Sequence, residues 1–130
     1  MKKLLNNLVL VVALLITTSI PSFAFYSDMN TNHWAYKQIK QMTAKGVVVG
    51  YPDGSFHPDE NVTRAEFASM AIKALGQEHT TVAQPIKYAD IDQDFWAYDA
   101  IQKAVYFDLI ANPVSGDKFR PYDPVSRAEG

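Results

Sequence analysis

Val62-Thr63-Arg64-Ala65-Glu66-Phe67-Ala68-Ser69-Met70-Ala71-Ile72-Lys73-Ala74-Leu75 is the stretch from which the rest of the chain is read. It opens as Thr-x-x-Glu directly before an apolar-periodic run, the pattern of a capping box. The Thr63 hydroxyl is placed to accept from the Glu66 N–H, and the Glu66 carboxylate to accept from the Thr63 N–H. Phe67, Met70, Ala71, Ala74 and Leu75 recur at helical spacing and are expected to form one buried stripe. Gly76 follows as a stop. The spacing therefore predicts a helix over 62–75.

Working outward, the same helix start returns as Val125-Ser126-Arg127-Ala128-Glu129. Tyr26-Ser27-Asp28 matches Tyr88-Ala89-Asp90, Trp34-Ala35-Tyr36 matches Trp96-Ala97-Tyr98, and Ile39 and Gly54 match Ile101 and Gly116, all at an offset of 62. After one inserted residue, Phe56-x-Pro58 matches Phe119-x-Pro121 and Arg64-Ala65-Glu66 matches Arg127-Ala128-Glu129 at an offset of 63. Ordered matches at a fixed period mark an internal repeat. Each unit opens on an aromatic and an Asp. A helix is expected next, over about 32–45 or 95–107, burying Trp34, Ala35, Ile39 and Met42 or Trp96, Ala100, Ile101, Ala104 and Val105. A short extended piece comes next (Val47-Val48-Val49 or Leu109-Ile110-Ala111), closed by Gly50 or Asn112. In the first unit the loop Tyr51-Pro52-Asp53-Gly54-Ser55-Phe56-His57-Pro58 then delivers the chain to the capping-box helix.

The N-terminus reads differently. Lys2 and Lys3, an apolar run from Leu8 to Ile16, Pro21 and a small-x-small end at Ser22-Phe23-Ala24 form the pattern of a secretory signal peptide. The run is shorter than the roughly 20 apolar residues of a membrane-spanning helix, so no membrane association is expected after cleavage. The expected organisation is a signal peptide over 1–24, one repeat over 25–76, a linker with Pro85 over 77–87, and a second repeat over 88–130, incomplete because the chain as given breaks off beside Glu129. Loss of Lys2 and Lys3 leaves ten of the 12 basic residues against 14 acidic ones, a formal charge of −4. That balance excludes the basic patch a nucleic acid needs. Without cysteine, the exported chain has no disulfide framework and holds together by packing. His33, His57 and His79 are scattered without metal-ligand spacing, and no cofactor is expected. Asp90-x-Asp92-x-Asp94 begins like a calcium loop, but Phe95 and Ile101 stand where the Gly and Glu belong, so no metal site is read there.

Trp34, the loop Gly50-Tyr51-Pro52-Asp53-Gly54-x-Phe56-x-Pro58 and Thr63-Arg64-Ala65-Glu66-Phe67 together resemble the S-layer homology (SLH) domain of exported bacterial proteins. The resemblance implies a mainly α fold, in which helix–loop–helix repeats pack as part of a pseudo-threefold helical bundle. It also implies non-covalent binding of secondary cell-wall polysaccharide, often through pyruvylated amino sugars, in grooves between repeats. The ligand-binding residues implied are Arg64, Trp34, Asp53, Gly54, Thr63 and Glu66, with Arg127 as the second unit's counterpart. The second unit departs from the pattern, with Ala111-Asn112-Pro113-Val114-Ser115-Gly116 in place of the Gly-Tyr-x-Asp-Gly loop and Ser126 in place of Thr.

Chemistry fits these assignments in two ways each. The Arg64 guanidinium matches a planar carboxylate bidentately, and first-turn N–H groups favour an anion. It is equally placed to pair with Asp28, Asp59 or Glu60. Trp34 offers a sugar-stacking face or a core side chain. Glu66 is a cap, and Asp53-Gly54 a turn, before either is a ligand contact. A hydrolase using Asp53 and Glu66 would need carboxylates across a cleft with separated pKa values; both have structural roles, and no enzyme is expected. The competing reading is an assembly fragment that pairs with itself or another SLH chain, since repeats cannot bury their faces alone. On that reading Val105, Leu109 and Phe119 should be exposed, with a marginal or oligomeric monomer.

Overall fold

The computed structural model describes residues 25–111 and 116–128. The expected signal peptide and most of the divergent second loop lie outside the described residues. Among the described residues there are three helices, α1 (Tyr36–Ala44), α2 (Arg64–Ala74) and α3 (Tyr98–Tyr106). No strand accompanies them among the described residues, so the fold is mainly α. Among the described residues the extended pieces expected after α1 and α3 form no ladder, and an isolated antiparallel bridge joins Thr63 to Pro124.

The capping box forms as read. Thr63 Oγ1 accepts from Glu66 N at 3.3 Å, and Glu66 Oε2 accepts from Thr63 N at 2.9 Å. All three helices end alike, with a six-residue back-bond closing the last turn: Val47 N to Met42 O, Gln77 N to Ile72 O and Leu109 N to Ala104 O. Gly46 takes the left-handed conformation this needs after α1 (φ 72°), and the repeat puts Asp108 (φ 54°) in its place after α3.

α1 and α3 start later than expected. Tight turns over residues 31–35 and 93–97 lead into them, held by His33 N to Asn30 O and Tyr36 N to His33 O in one unit, and by Phe95 N to Asp92 O and Tyr98 N to Phe95 O in the other. Trp34 and Trp96 sit on these turns and not on the helical stripe. They are 84% and 61% exposed, which corrects the expectation that both are buried.

A shared clamp closes each unit. Asp28 accepts from Phe56 N and His57 N at 2.8 and 2.7 Å, and Asp90 accepts from Phe119 N and Arg120 N at the same two distances. The residue at the second N–H, His57 or Arg120, carries a positive φ in both. The opening Asp thus ties the start of each repeat to its loop.

The core does not respect the repeat boundary. Ala65, Ala68 and Ile72 of α2 pack with Tyr88, Ile91, Ala97, Ile101, Ala104, Ile110 and Phe119 of the second unit. This corrects the expected buried stripe: Phe67, Met70 and Ala71 are only half-buried and Ala74 and Leu75 are exposed, because α2 turns its adjacent face, with the small Ala65 and Ala68, onto α3. The first unit's capping-box helix is therefore the cover of the second unit. The linker is fastened over α3: the Gln102 amide bonds both the N–H and the C=O of Ile86, and buried Lys103 donates to the Glu78 carbonyl and to Asp99. Phe119, expected at the surface, is fully buried under α2, and Val105 and Leu109 are half-buried against the same core.

Candidate functional site

Four elements of the sequence motif meet at a groove of about 670 Å³. Val47–Pro52 and Phe56–Pro58 of the first loop form one wall, α2 contributes Glu66, Ser69, Met70 and Lys73, and Trp96 enters from the second unit. The groove is therefore an inter-repeat feature. Its loop wall depends on Gly50, where an added Cβ would collide with the Tyr26 ring edge and the Ser55 carbonyl.

The polar groups along the groove are arranged by the protein itself. Tyr51 Oη donates to Glu66 Oε1 at 3.1 Å while Glu66 Oε2 caps α2, so both carboxylate oxygens are engaged. Burial and the adjacent Glu66 carboxylate raise the Tyr51 pKa, keeping its phenol protonated and a donor. The His57 ring lies 4.6 Å from Tyr51, with Nδ1 2.9 Å from Glu60 Oε1. Lys73 stands two turns beyond Glu66 on the groove side of α2, half-exposed, and no residue of the described chain pairs with it. Trp96 presents an exposed indole beside these groups, the arrangement that packs a ring face while hydroxyls and a cation engage its edge.

The residues anticipated from the motif are distributed differently. Glu66 lines the groove; Thr63 caps the helix behind it. Asp53 accepts from Ser55 N and Ser55 Oγ, which hold its carboxyl below the ordinary value, and Gly54 makes the turn at φ 84°. Neither of these two lines the groove. Trp34 is exposed elsewhere; its repeat partner Trp96 is the one in the groove. Arg127 is exposed.

Arg64 is the largest departure. It is 1% exposed, donates Nε to the Phe119 carbonyl at 2.9 Å and Nη2 to the Ala111 carbonyl at 3.1 Å, and stacks 4.6 Å over the Phe119 ring. Asp28, Asp59 and Glu60 are not its partners in any of these contacts. The first-turn N–H groups are used as well: Arg64 N donates to Asp123 O and Ala65 N to Pro121 O, while Thr63 N and Glu66 N belong to the capping box. The open N-terminal anion site that the sequence suggested is filled by the second unit's own carbonyls.

Tyr51, Ser69, Lys73, His57 and Trp96 were not named as ligand contacts from the sequence. The signal for Ser69 and Lys73 lay in the polar face of α2 opposite its apolar stripe, and for Trp96 in its match to Trp34.

This geometry defines a class: a mainly α module built from tandem helix–loop–helix repeats that share a core and a groove. The chain belongs to the S-layer homology domain family, whose pattern matches residues 25–68 and 87–129. It is 37% identical over 112 residues to cell surface glycoprotein 1 of Acetivibrio thermocellus and 36% identical over 109 residues to the cellulosome-anchoring protein of the same organism, covering 80% of this chain in both cases. A surface layer protein of Brevibacillus choshinensis is 32% identical over 142 residues, covering 99% of this chain. The matched segment spans 5%, 24% and 12% of the length of these three relatives.

Proposed function

We propose that this chain is a non-covalent anchor that holds an exported protein at the bacterial cell surface by gripping cell-wall polysaccharide, acting by binding and not by catalysis. The family and the relatives' names, surface layer, cell surface and cellulosome-anchoring, support attachment at the surface. The observation that carries the reading is the inter-repeat groove, which exposed Trp96 lines together with Tyr51, Ser69 and Lys73. A saccharide ring packs on the indole, and hydroxyls bond Tyr51 and Ser69. An acidic substituent such as a pyruvyl ketal meets Lys73. The acidic character of the chain acts against an anionic polymer only weakly, because distant charges are screened beyond about 8 Å at physiological salt.

Co-sedimentation with purified cell walls, against walls stripped of secondary polysaccharide, tests this. The chain should pellet with intact walls only. Trp96→Ala and Lys73→Glu, both at accessible positions, should each weaken binding about tenfold or more, the scale of losing one anchoring contact of about 1.4 kcal/mol. Equal pelleting with stripped walls, or wild-type binding by both variants, would overturn the proposal.

A further inference from the structure

Charge is spread unevenly along the chain. Residues 25–76 hold five acidic and five basic side chains, whereas residues 77–130 hold nine acidic against five basic. The acids of the first unit are engaged locally. Asp28 accepts from the N–H groups of Phe56 and His57, Asp53 from Ser55, and Glu66 from the capping box and Tyr51; Glu60 meets His57, and Asp59 lies 3.6 Å from His33. Of the bases, Arg64 is buried on Phe119, while Lys37, Lys40 and Lys45 collect on the outward face of α1 and its C-cap. Among the described residues none of these three lysines makes an ion pair.

Gln38, Gln41 and Ala44 complete that face, all exposed, and α1 carries no acid. In α3 the residues matching Lys40 and Gln41 are Gln102 and Lys103, both buried, which fasten the linker through Ile86 and Glu78. The same position of the repeat is thus covered by the chain itself in the second unit and left open and positive in the first. The net negative charge of the whole chain conceals this local positive field.

The helical rise sets Lys37 and Lys40 about 4.5 Å apart along the axis, and Lys40 and Lys45 about 7.5 Å apart. Each ammonium is a compact point charge with rotatable donors, which suits a phosphate diester approached from any side; a planar carboxylate is better matched by the fork of an arginine. No aromatic or arginine side chain lies among these exposed residues to stack a base.

We propose that the outward face of α1 binds a phosphodiester polymer of the cell surface, one that carries charges along its backbone and no bases. Lys37, Lys40 and Lys45 neutralise successive phosphates, and the Gln38 and Gln41 amides donate to the oxygens between them. None of these residues lines the inter-repeat groove, so the contact stands whether or not the groove holds a saccharide.

Fluorescence anisotropy of labelled poly(glycerol phosphate) with the full chain, between about 20 and 200 mM salt, tests this. The association constant should fall with salt along a log–log slope of about −2, the counterion release expected for three phosphates of a single strand. Each of Lys37→Gln, Lys40→Gln and Lys45→Gln should flatten that slope by about 0.7. The triple variant should bind about tenfold more weakly or worse at low salt, with its circular dichroism unchanged because glutamine is a good helix former. Lys87→Gln combined with Lys118→Gln removes two exposed cations of the second unit and should change affinity by less than about twofold. Absence of wild-type binding at the lowest salt, wild-type affinity and slope in the triple variant, an equal loss in the Lys87/Lys118 variant, or tighter binding of a single-stranded oligonucleotide of equal charge would overturn the proposal.

Discussion

The Arg64 guanidinium and the Phe119 residue form one joint: the ring lies 4.6 Å beneath Cζ, and the Phe119 carbonyl accepts from Nε at 2.9 Å. These two residues are 55 positions apart and belong to different repeats. The joint explains how a helix encoded in the first unit becomes the lid of the second.

Arg64→Ala should destabilise the chain by about 3 kcal/mol or more, since it removes charge-assisted bonds of about 1.5–3 kcal/mol each and opens a cavity. Arg64→Lys should recover only part of this, because an ammonium lacks the planar fork and the stacking face. Urea unfolding followed by circular dichroism measures both. Wild-type stability in Arg64→Ala would show that the joint is dispensable. Any loss of wall binding in Arg64 variants must therefore be compared with their folded fraction.

The capping box makes a smaller contribution. Thr63→Ala should cost about 1 kcal/mol, and Thr63→Ser almost nothing, because a Ser hydroxyl satisfies the same N–H. Glu66→Gln keeps the reach to the Thr63 N–H but alters the acceptor for Tyr51, so it should weaken the groove wall more than the helix. Denaturant midpoints for the three variants rank these effects; a Thr63→Ala protein as stable as wild type contradicts the assignment.

Acid should loosen the first unit. Burial acts to raise the Asp28 pKa, but the N–H groups of His57 and Phe56 outweigh it and hold the carboxyl below its ordinary value of 3.8. Asp53 is lowered by the Ser55 hydroxyl and N–H. Both values are depressed on folding, so their contribution is present above the unfolded value near 3.8 and is lost as pH falls through the folded values. Stability measured by urea midpoint should be insensitive to these groups above about pH 5 and decline below about pH 4. Asp28→Asn leaves an amide with one oxygen for two N–H donors; it should be less stable at neutral pH and show a shallower acid decline. An unchanged acid slope in that variant would falsify the clamp.

Gly50→Ala should disrupt the groove. Its Cβ meets the Tyr26 ring and the Ser55 carbonyl, and the latter is backbone that cannot swing aside. The expected cost is about 1–3 kcal/mol, typical of overpacking a closed site. By contrast Gly54→Ala meets open space and suffers only from its positive φ, so about 1 kcal/mol is expected. Thermal melts of the two variants side by side decide this, and equal melting temperatures would refute the packing argument.

Much of the local structure was legible in advance because it rests on contacts a few residues apart. The Thr63–Glu66 box, the glycine stops and the Asp53-Gly54 turn need only short-range geometry, and all appear as read. The repeat was legible too, down to the inserted residue, because it requires no knowledge of packing. Trp34 failed for a local reason: the turn at residues 31–35 starts α1 after it, so an apparently helical position sits outside the helix.

The amino-acid order alone thus determined the three helices, the capping box of α2, the repeat and the family, since each is a matter of propensity, spacing or periodicity. The tertiary structure alone decided which unit each helix covers. Two copies of one motif are chemically almost identical, so nothing local tells Arg64 whether to face solvent, its own Asp28 or the next unit's Phe119. That choice follows from burying Ala65, Ala68 and Ile72 of α2 against α3, which carries Arg64 onto the Phe119 carbonyl and leaves Tyr51, Lys73 and Trp96 around the groove.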